Sequence, residues 1–456
     1  SELPHWEELR CAGRAIKDRT LRHLDSYLVQ FEENLTAHGG RLHWATDADE
    51  ANRIVLGIVK SQSADEVVKI KSMVTQEVGL NEALESEGIA AWETDLAELI
   101  VQLGHDRPSN ILVPAIHRNR DEVREIFIRE MGRYGRPAPD GLSNDPACLA
   151  AAARAHLREK FLRARVAVCG ANFCVAETGT VVIVESEGNG RMCLTLPEVL
   201  VAVTGIEKLV PTLADLEVML QLLPRSSTGE RMNPYTSMFT GVTPGDGPQE
   251  LHVVLVDNGR TRALADATGR EVLRCIRCAA CMHACPVYAL VGGHAYGSVY
   301  PGPLGSVLTP LLRGLDSQID KSLPYASTLC GACAEVCPVK IPLPDLLVHL
   351  RHKVVEEKKR GHLGLEQLLM RVFGWAMGSG RRFAALGACA SAARRLLRRP
   401  RLRRLPWHGR RWTDGRDLRM PAARTFRSVW NKGTRTHGHM PPANDRPDAT
   451  GGQHDQ

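Results

Sequence analysis

Two short cysteine runs carry the chemistry of this chain. The first, CIRCAACMHACPVY at 275–288, spaces its thiols as C-x2-C-x2-C-x3-C-P. The second, STLCGACAEVCP at 327–338, repeats the pattern one cysteine short. Aligned on Cys-Pro, Cys337 matches Cys285, Cys333 matches Cys281, Cys330 matches Cys278, and Ser327 stands where Cys275 stands in the first copy. Thiolates at this spacing wrap one iron–sulfur cube, and the cysteine before the proline reaches to the other cluster of a pair. Cluster one therefore takes Cys275, Cys278, Cys281 and Cys337. Cluster two takes Cys285, Cys330 and Cys333, and its fourth position is open. Ser327 can fill it through oxygen, or a distant cysteine such as Cys389 or one from the preceding domain can reach in. A solvent or partner group can bind the fourth iron, or the cluster can hold three irons. The expectation is [4Fe-4S] in site one and [4Fe-4S] or [3Fe-4S] in site two.

Zinc is the competing reading of any CxxC pair, but a structural zinc site closes with four ligands. A third cysteine and a Cys-Pro, repeated 52 residues on, is the ferredoxin arrangement. The chain has 13 cysteines, and seven of them fall in these two runs. With no apolar leader at its start, that clustering argues for metal rather than a disulfide framework. Tyr288, Tyr296 and Tyr300 could shield a cluster from water or be ordinary packing aromatics, and Arg274, Arg277, His283 and Lys340 either bring positive charge near it or are simply solvated. Two clusters pass electrons singly, so the module implies a relay between a redox site elsewhere and an acceptor.

A second distinctive segment is CVAETGTVVIVESEGNGR at 174–191. Glu177 could act as an acid or base, and backbone at Gly179 and Gly188 could meet an anion; a structural turn is the plainer reading. GxGxxG and P-loop patterns are absent, so a flavin or nicotinamide site belongs to a partner.

These groups need a scaffold. Apolar residues at three- and four-residue spacing predict helix over 5–38. RLHWA predicts a strand, and Asp47 caps a helix after it. KIKSMV, IAAWETD and SNILVPAI read as strands, with helices over 80–87 and LAELIVQL between them. Helices follow at 121–133 and 147–164, then consecutive strands through 165–191. A strand end and helix over EKLVPTLADLEVMLQLL and an apolar strand in ELHVVLVDNGR complete an α/β domain with a mostly parallel sheet. The expected division is a helical segment 1–29, the α/β domain 30–262, an α-helical dicluster module 263–350, and a charged helix with a basic tail over 351–456.

Charge is uneven. From Arg381 onward there are 18 Lys/Arg against five Asp/Glu, so the net +6 hides an acidic body with a basic tail. Such a tail suits an acidic partner or lipid headgroups, or is simply solvated. No stretch approaches a transmembrane span, and the last residues, from about Gly433, have a disordered composition. The expectation is a cytoplasmic protein whose tail can touch the inner membrane face, with no nucleic-acid partner.

In their order, ANFCVAETGTVV, LVDNGR, CIRCAACMHACPVY, GGHAYGSVYPGP and LCGACAEVCPVKIPL resemble the lactate utilization protein B family over nearly the whole chain. The resemblance implies a LUD domain similar in fold to the NagB/RpiA/CoA-transferase group, followed by the dicluster module. It implies iron–sulfur electron transfer in oxidising L-lactate to pyruvate, with sister proteins A and C as partners. The family carries Cys or Ser at the place of Ser327, so this chain resembles the serine variant. Two other readings stand beside it: a relay for another 2-hydroxy acid such as glycolate, and a LUD-domain enzyme with CoA-transferase- or isomerase-like chemistry at Glu177 whose clusters are structural. A succinate-dehydrogenase-type subunit is disfavoured, because the C-x4-C-x2-C pattern is missing.

Overall fold

A computed structural model describes residues 3–360, 365–397 and parts of 401–430. Residues 1–356 form one compact unit and residues 357–456 a second.

Ten strands build the first unit: β1 (Arg41–Ala45), β2 (Glu66–Lys69), β3 (Ala90–Glu93), β4 (Val166–Cys169), β5 (Phe173–Val175), β6 (Thr180–Glu185), β7 (Val199–Gly205), β8 (Leu209–Val210), β9 (Tyr235–Phe239) and β10 (Glu250–Val256). Six of them form a sheet in the order β1-β10-β7-β4-β2-β3, every neighbouring pair parallel. Its central strands are apolar on both faces, as covered parallel strands must be. Val166, Val168, Val199, Val201 and Val203 face one core; Ala167, Cys169, Leu200 and Ala202 face another. The other four strands form a second sheet, β8-β5-β6-β9, with β5–β6 and β6–β9 antiparallel.

This small sheet joins the two chemistries. On one face, Cys174, Ala176, Val181 and Ile183 pack into the core of the parallel sheet. On the other, Phe173, Val175 and Val182 share a core with Cys278, Cys333, Cys337, Ile341 and Leu343. The cysteine module is thus packed against the α/β domain.

The expected helix over 5–38 is two helices, Trp6–Arg22 and Leu24–Ala37, broken at His23. Asp47 caps Ala48–Ser61 by accepting from the Glu50 N–H. Two expected strands do not form as expected. KIKSMV keeps only Lys69 in a strand, because the Ser72 hydroxyl accepts from the Thr75 N–H and starts the helix Met73–Glu77. SNILVPAI is a chain of turns. The Asn110 side-chain carbonyl accepts from Leu112 and Val113 N–H groups at 2.8 and 3.0 Å, and Ser109 N–H donates to Pro114 O at 3.0 Å. Local side-chain bonds of this kind compete directly with a sheet ladder. After the EGNG turn the chain enters a short helix, Asn189–Thr195, and β7 and β9 have no counterpart among the expected strands.

The second unit contains the helices Leu365–Met377 and Gly380–Leu397 and the paired strands Arg401–Leu402 and Leu418–Arg419. The segment from Gly433 lies outside the described residues. No helix among the described residues is long and apolar enough to cross a membrane.

Candidate iron–sulfur centres

Both cysteine runs fold the same way. In the first, Arg277 and Ala279 take left-handed φ of 62° and 63°, and the turn Ala280–His283 follows. In the second, Leu329 and Gly331 take φ of 57° and 90°, and the turn Ala332–Glu335 follows. The N–H of Arg277 donates to Cys275 Sγ at 3.3 Å, and the N–H of Leu329 donates to Ser327 Oγ at 3.1 Å. Non-glycine residues adopt this backbone rarely. Its recurrence at matching positions wraps each peptide loop inward, so that Ser327 sits in the place of Cys275.

The structure brings Cys275, Cys278, Cys281 and Cys337 together around one cavity, closed by apolar side chains that include Ile276, Leu304, Val339, Ile341 and Leu343. Burial pushes the thiols of Cys278, Cys281 and Cys337 above the usual range, and the neighbouring Cys275 adds to it. Four thiols converging on an apolar-lined pocket are an expensive arrangement for a metal-free core and a suitable one for a thiolate-bound cluster. A buried nitrogen fits the same group: Arg277 Nη1 has no hydrogen-bond partner, and its guanidinium lies beside Cys275 and 5.0 Å above the Tyr300 ring.

The second set is more open. Cys285 and Cys333 are buried, Ser327 is half-buried and Cys330 is exposed. Burial lifts the Cys333 thiol to about 11, whereas the Ala332 N–H and the Thr328 side chain lower that of Cys330. The Tyr296 hydroxyl lies beside Cys285. Tyr288 instead donates to Ser109 O at 2.9 Å, and Tyr300 to Glu77 Oε2 at 2.6 Å. Of the other candidate ligands, Cys169, Cys174 and Cys193 are sealed in the core of the parallel sheet, and Cys389 lies exposed in the second unit.

The charges expected around the clusters are real but mostly committed. Arg274 pairs with Asp18, Lys340 with Glu7, and His283 meets Asn110. The spacing of the cysteines does not reveal what supports the four-cysteine cavity from behind. Arg10, on the N-terminal helix, donates to the carbonyls of Cys337 at 2.8 Å and Glu335 at 2.7 Å. Glu207, just past the end of β7, accepts from Arg260 Nε at 2.5 Å and Arg277 Nη2 at 3.1 Å. Burial pushes its carboxyl up, but the two guanidiniums outweigh that and hold it at about 2. Lys17 donates to the carbonyls of Glu207 and Leu209. Burial, with Arg277 adding to it, pushes Lys208 down to about 7. No spacing rule links these residues; only the fold collects them.

Glu177 is exposed, and its carboxylate accepts from the Leu213 N–H at 3.0 Å, at the start of the helix Leu213–Ser227. The backbone at Gly179 and just past Gly188 is already occupied. Gly179 is covered by the backbone of Asn34 and Leu35, and past Gly188 the Glu185 carboxylate already accepts from Gly190 and Arg191 at 2.8 and 2.6 Å.

Comparison with known proteins agrees with this architecture. The chain matches the LUD domain over residues 28–256, a 4Fe-4S dicluster domain over 271–341, and the C-terminal domain of lactate utilisation protein B over 348–434. "Lactate utilization protein B 1" of Bacillus mycoides is 45% identical over 438 residues, covering 94% of this chain and 88% of that protein. The chain belongs to the lactate utilization protein B family. "Lactate utilization protein B" of Oceanobacillus iheyensis is 42% identical over 96% of this chain and 91% of its own length. A solved DUF162 family protein from Deinococcus radiodurans aligns with 51% of this chain and 98% of its own, at 14% identity and a TM-score of 0.29. Within the family, the dicluster domain identifies an iron–sulfur, electron-transferring protein.

Proposed function

We propose that this chain is the iron–sulfur electron-transfer subunit of a cytoplasmic assembly that oxidises L-lactate to pyruvate together with lactate utilization proteins A and C. One observation carries the reading: the four cysteines assigned to cluster one line a single buried cavity in a chain whose relatives are named for lactate utilization. Cys275, Cys278, Cys281 and Cys337 hold a [4Fe-4S] cluster. Cys285, Cys330 and Cys333, with Ser327 at the fourth corner, hold a [4Fe-4S] or [3Fe-4S] cluster. When bound, the clusters supply one-electron transfer. The chain's own residues exclude water from the first site through Leu304, Val339 and Ile341, and place Arg277 against Cys275. The basic tail offers a contact to an acceptor or to the inner membrane face.

For Glu177 a structural role is the better supported reading, because its carboxylate accepts from the Leu213 N–H at the start of a helix. The test is anaerobic co-purification of proteins A, B and C, with iron, sulfide and flavin analysis and a lactate:acceptor assay. The complex should reduce a dye with L-lactate and the isolated chain should not. Lactate-dependent reduction by this chain alone, free of flavin, overturns the relay role. Turnover with glycolate and none with lactate replaces the substrate.

A further inference from the structure

Away from the cysteines, three metal-ligating side chains converge from remote parts of the sequence. Asp106 and His117 lie in the loops after the helix Leu96–Leu103; His294 lies in the short turn His294–Tyr296, between the two halves of the ferredoxin pattern. One ligand atom from each lies within 4.8 Å of the others. We propose that Asp106, His117 and His294 form a mononuclear site for a divalent first-row transition metal, separate from both clusters.

The surrounding bonds orient all three. His117 Nδ1 is 2.8 Å from Ser109 Oγ, which leaves Nε2 turned to Asp106 Oδ2 at 2.8 Å. His294 Nε2 is 2.7 Å from the carbonyl of Arg107, so this nitrogen carries the proton and Nδ1 keeps a bare lone pair. The two rings meet edge-on at 67° with centroids 4.6 Å apart. Asp106 is steadied by the Arg118 guanidinium at 2.5 Å and the Arg107 N–H at 2.8 Å. A metal-ligating histidine characteristically has its other nitrogen held by an oxygen partner, and ligating carboxylates are themselves hydrogen-bonded. Both conditions are met here.

The donor set selects the ion. Two imidazoles and one carboxylate suit zinc, iron(II), cobalt or nickel, whereas calcium and magnesium want oxygen alone. Bonds of roughly 2.0–2.2 Å place tetrahedral ligands about 3.3 Å apart, so small side-chain rotations bring the three atoms onto one ion. Three protein ligands leave a position for water or for an oxygen of a small molecule. Both histidines are solvent-exposed, so that position is reachable. The site also adjoins the second cluster's surroundings. Gly293 packs against the Ser109 backbone, Tyr288 donates to the same Ser109 carbonyl, and Tyr296 faces Cys285.

The test uses the full chain with its clusters assembled anaerobically, so that the thiolates are occupied. After brief EDTA treatment the protein is equilibrated with Zn2+, desalted and analysed for metal. About one zinc per chain is expected beyond the cluster iron, with no retention of Mg2+. His117→Gln and His294→Gln should each weaken zinc binding by about tenfold or more, with iron and sulfide unchanged. Zinc should also protect both histidines of the unaltered protein from diethylpyrocarbonate, a readout independent of how the variants fold. Less than about a tenth of an equivalent retained, equal retention by the His117→Gln/His294→Gln double variant, or no protection, reduces the trio to an ordinary hydrogen-bonded surface cluster and overturns the proposal.

Discussion

Ser327 and Cys275 receive the same N–H from two residues on, so their loops differ mainly in the donor atom. A serine hydroxyl ionises far less readily than a thiol of pKa about 8.5, and is the poorer iron ligand. The iron facing Ser327 should therefore leave first. Mild oxidation should turn cluster two into a three-iron form, with the EPR signal of an oxidised three-iron cluster, while cluster one survives. Ser327→Cys should suppress the conversion; equal loss of both clusters would mean that the fourth ligand comes from elsewhere. Glu177→Gln gives the opposite kind of expectation. It weakens one exposed cap, typically worth about 1 kcal/mol, so turnover of the assembly should stay within a few-fold and iron content should not move. A complete loss of turnover with full iron would restore Glu177 as a catalytic group. At this scale the shared cavity of Cys275, Cys278, Cys281 and Cys337 was legible because the spacing of the two cysteine runs is local in sequence. Arg10, Glu207 and Asp106 were not, because each acquires its role from residues far along the chain: Cys337 for Arg10, Arg260 and Arg277 for Glu207, and His294 for Asp106.

Elements show where local reading fails. SNILVPAI has strand composition, yet Asn110 gives the backbone closer partners than a neighbouring strand could. The failed strand is useful in place. Asn110 Nδ2 reaches Tyr288 OH at 2.9 Å, and Lys71 Nζ holds Leu112 O at 2.8 Å. Strands β4, β5, β6 and β10 were legible from their β-branched runs. The division into two sheets was not, since it depends on which face of β5 and β6 meets which core. Gly179 sits at that junction. Its φ is +69°, and a Cβ there would lie 2.3 Å from Leu35 N, on backbone that cannot swing aside. Left-handed strain alone costs about 1–3 kcal/mol, and the clash adds to it. Gly179→Ala should thus lower the unfolding free energy by at least about 2 kcal/mol in denaturant titration of the cluster-loaded chain. A change within about 0.5 kcal/mol, the size of an ordinary surface substitution, would show that the helix Leu24–Ala37 is not seated there.

At the scale of the first unit, charge balance binds the α/β domain to the cluster module. Lys17, Lys208 and Arg260 are buried at 2%, 6% and 1% exposure, and the Arg277 side chain at 9%. Glu207 and Glu77 are the carboxylates that face them. With Lys208 pushed down to about 7, Lys17, Arg260 and Arg277 are the three cations set against two anions; they leave a buried positive surplus beside Cys275, and a buried surplus of charge is costly unless something compensates it. A thiolate-bound cluster is anionic and provides that compensation, so cluster one and the end of β7 should stabilise each other. Two measurements follow from the same balance. Glu207→Gln removes the anion shared by Arg260 and Arg277, and breaking a buried pair of this kind costs about 3–5 kcal/mol; the purified chain should lose thermal stability and cluster-one iron together. Arg277→Met removes positive charge next to Cys275 while keeping the stem volume. Net charge near a cluster sets its potential, and one charge at about 6 Å in an effective dielectric near 20 is worth about 3 kcal/mol. The midpoint of cluster one should therefore fall by tens of millivolts or more in an EPR-monitored redox titration, while cluster two, whose Cys330 is exposed to solvent, should barely shift. Equal shifts of both midpoints would mean that Arg277 acts on the whole module, and an unchanged cluster one would remove the guanidinium from its charge balance.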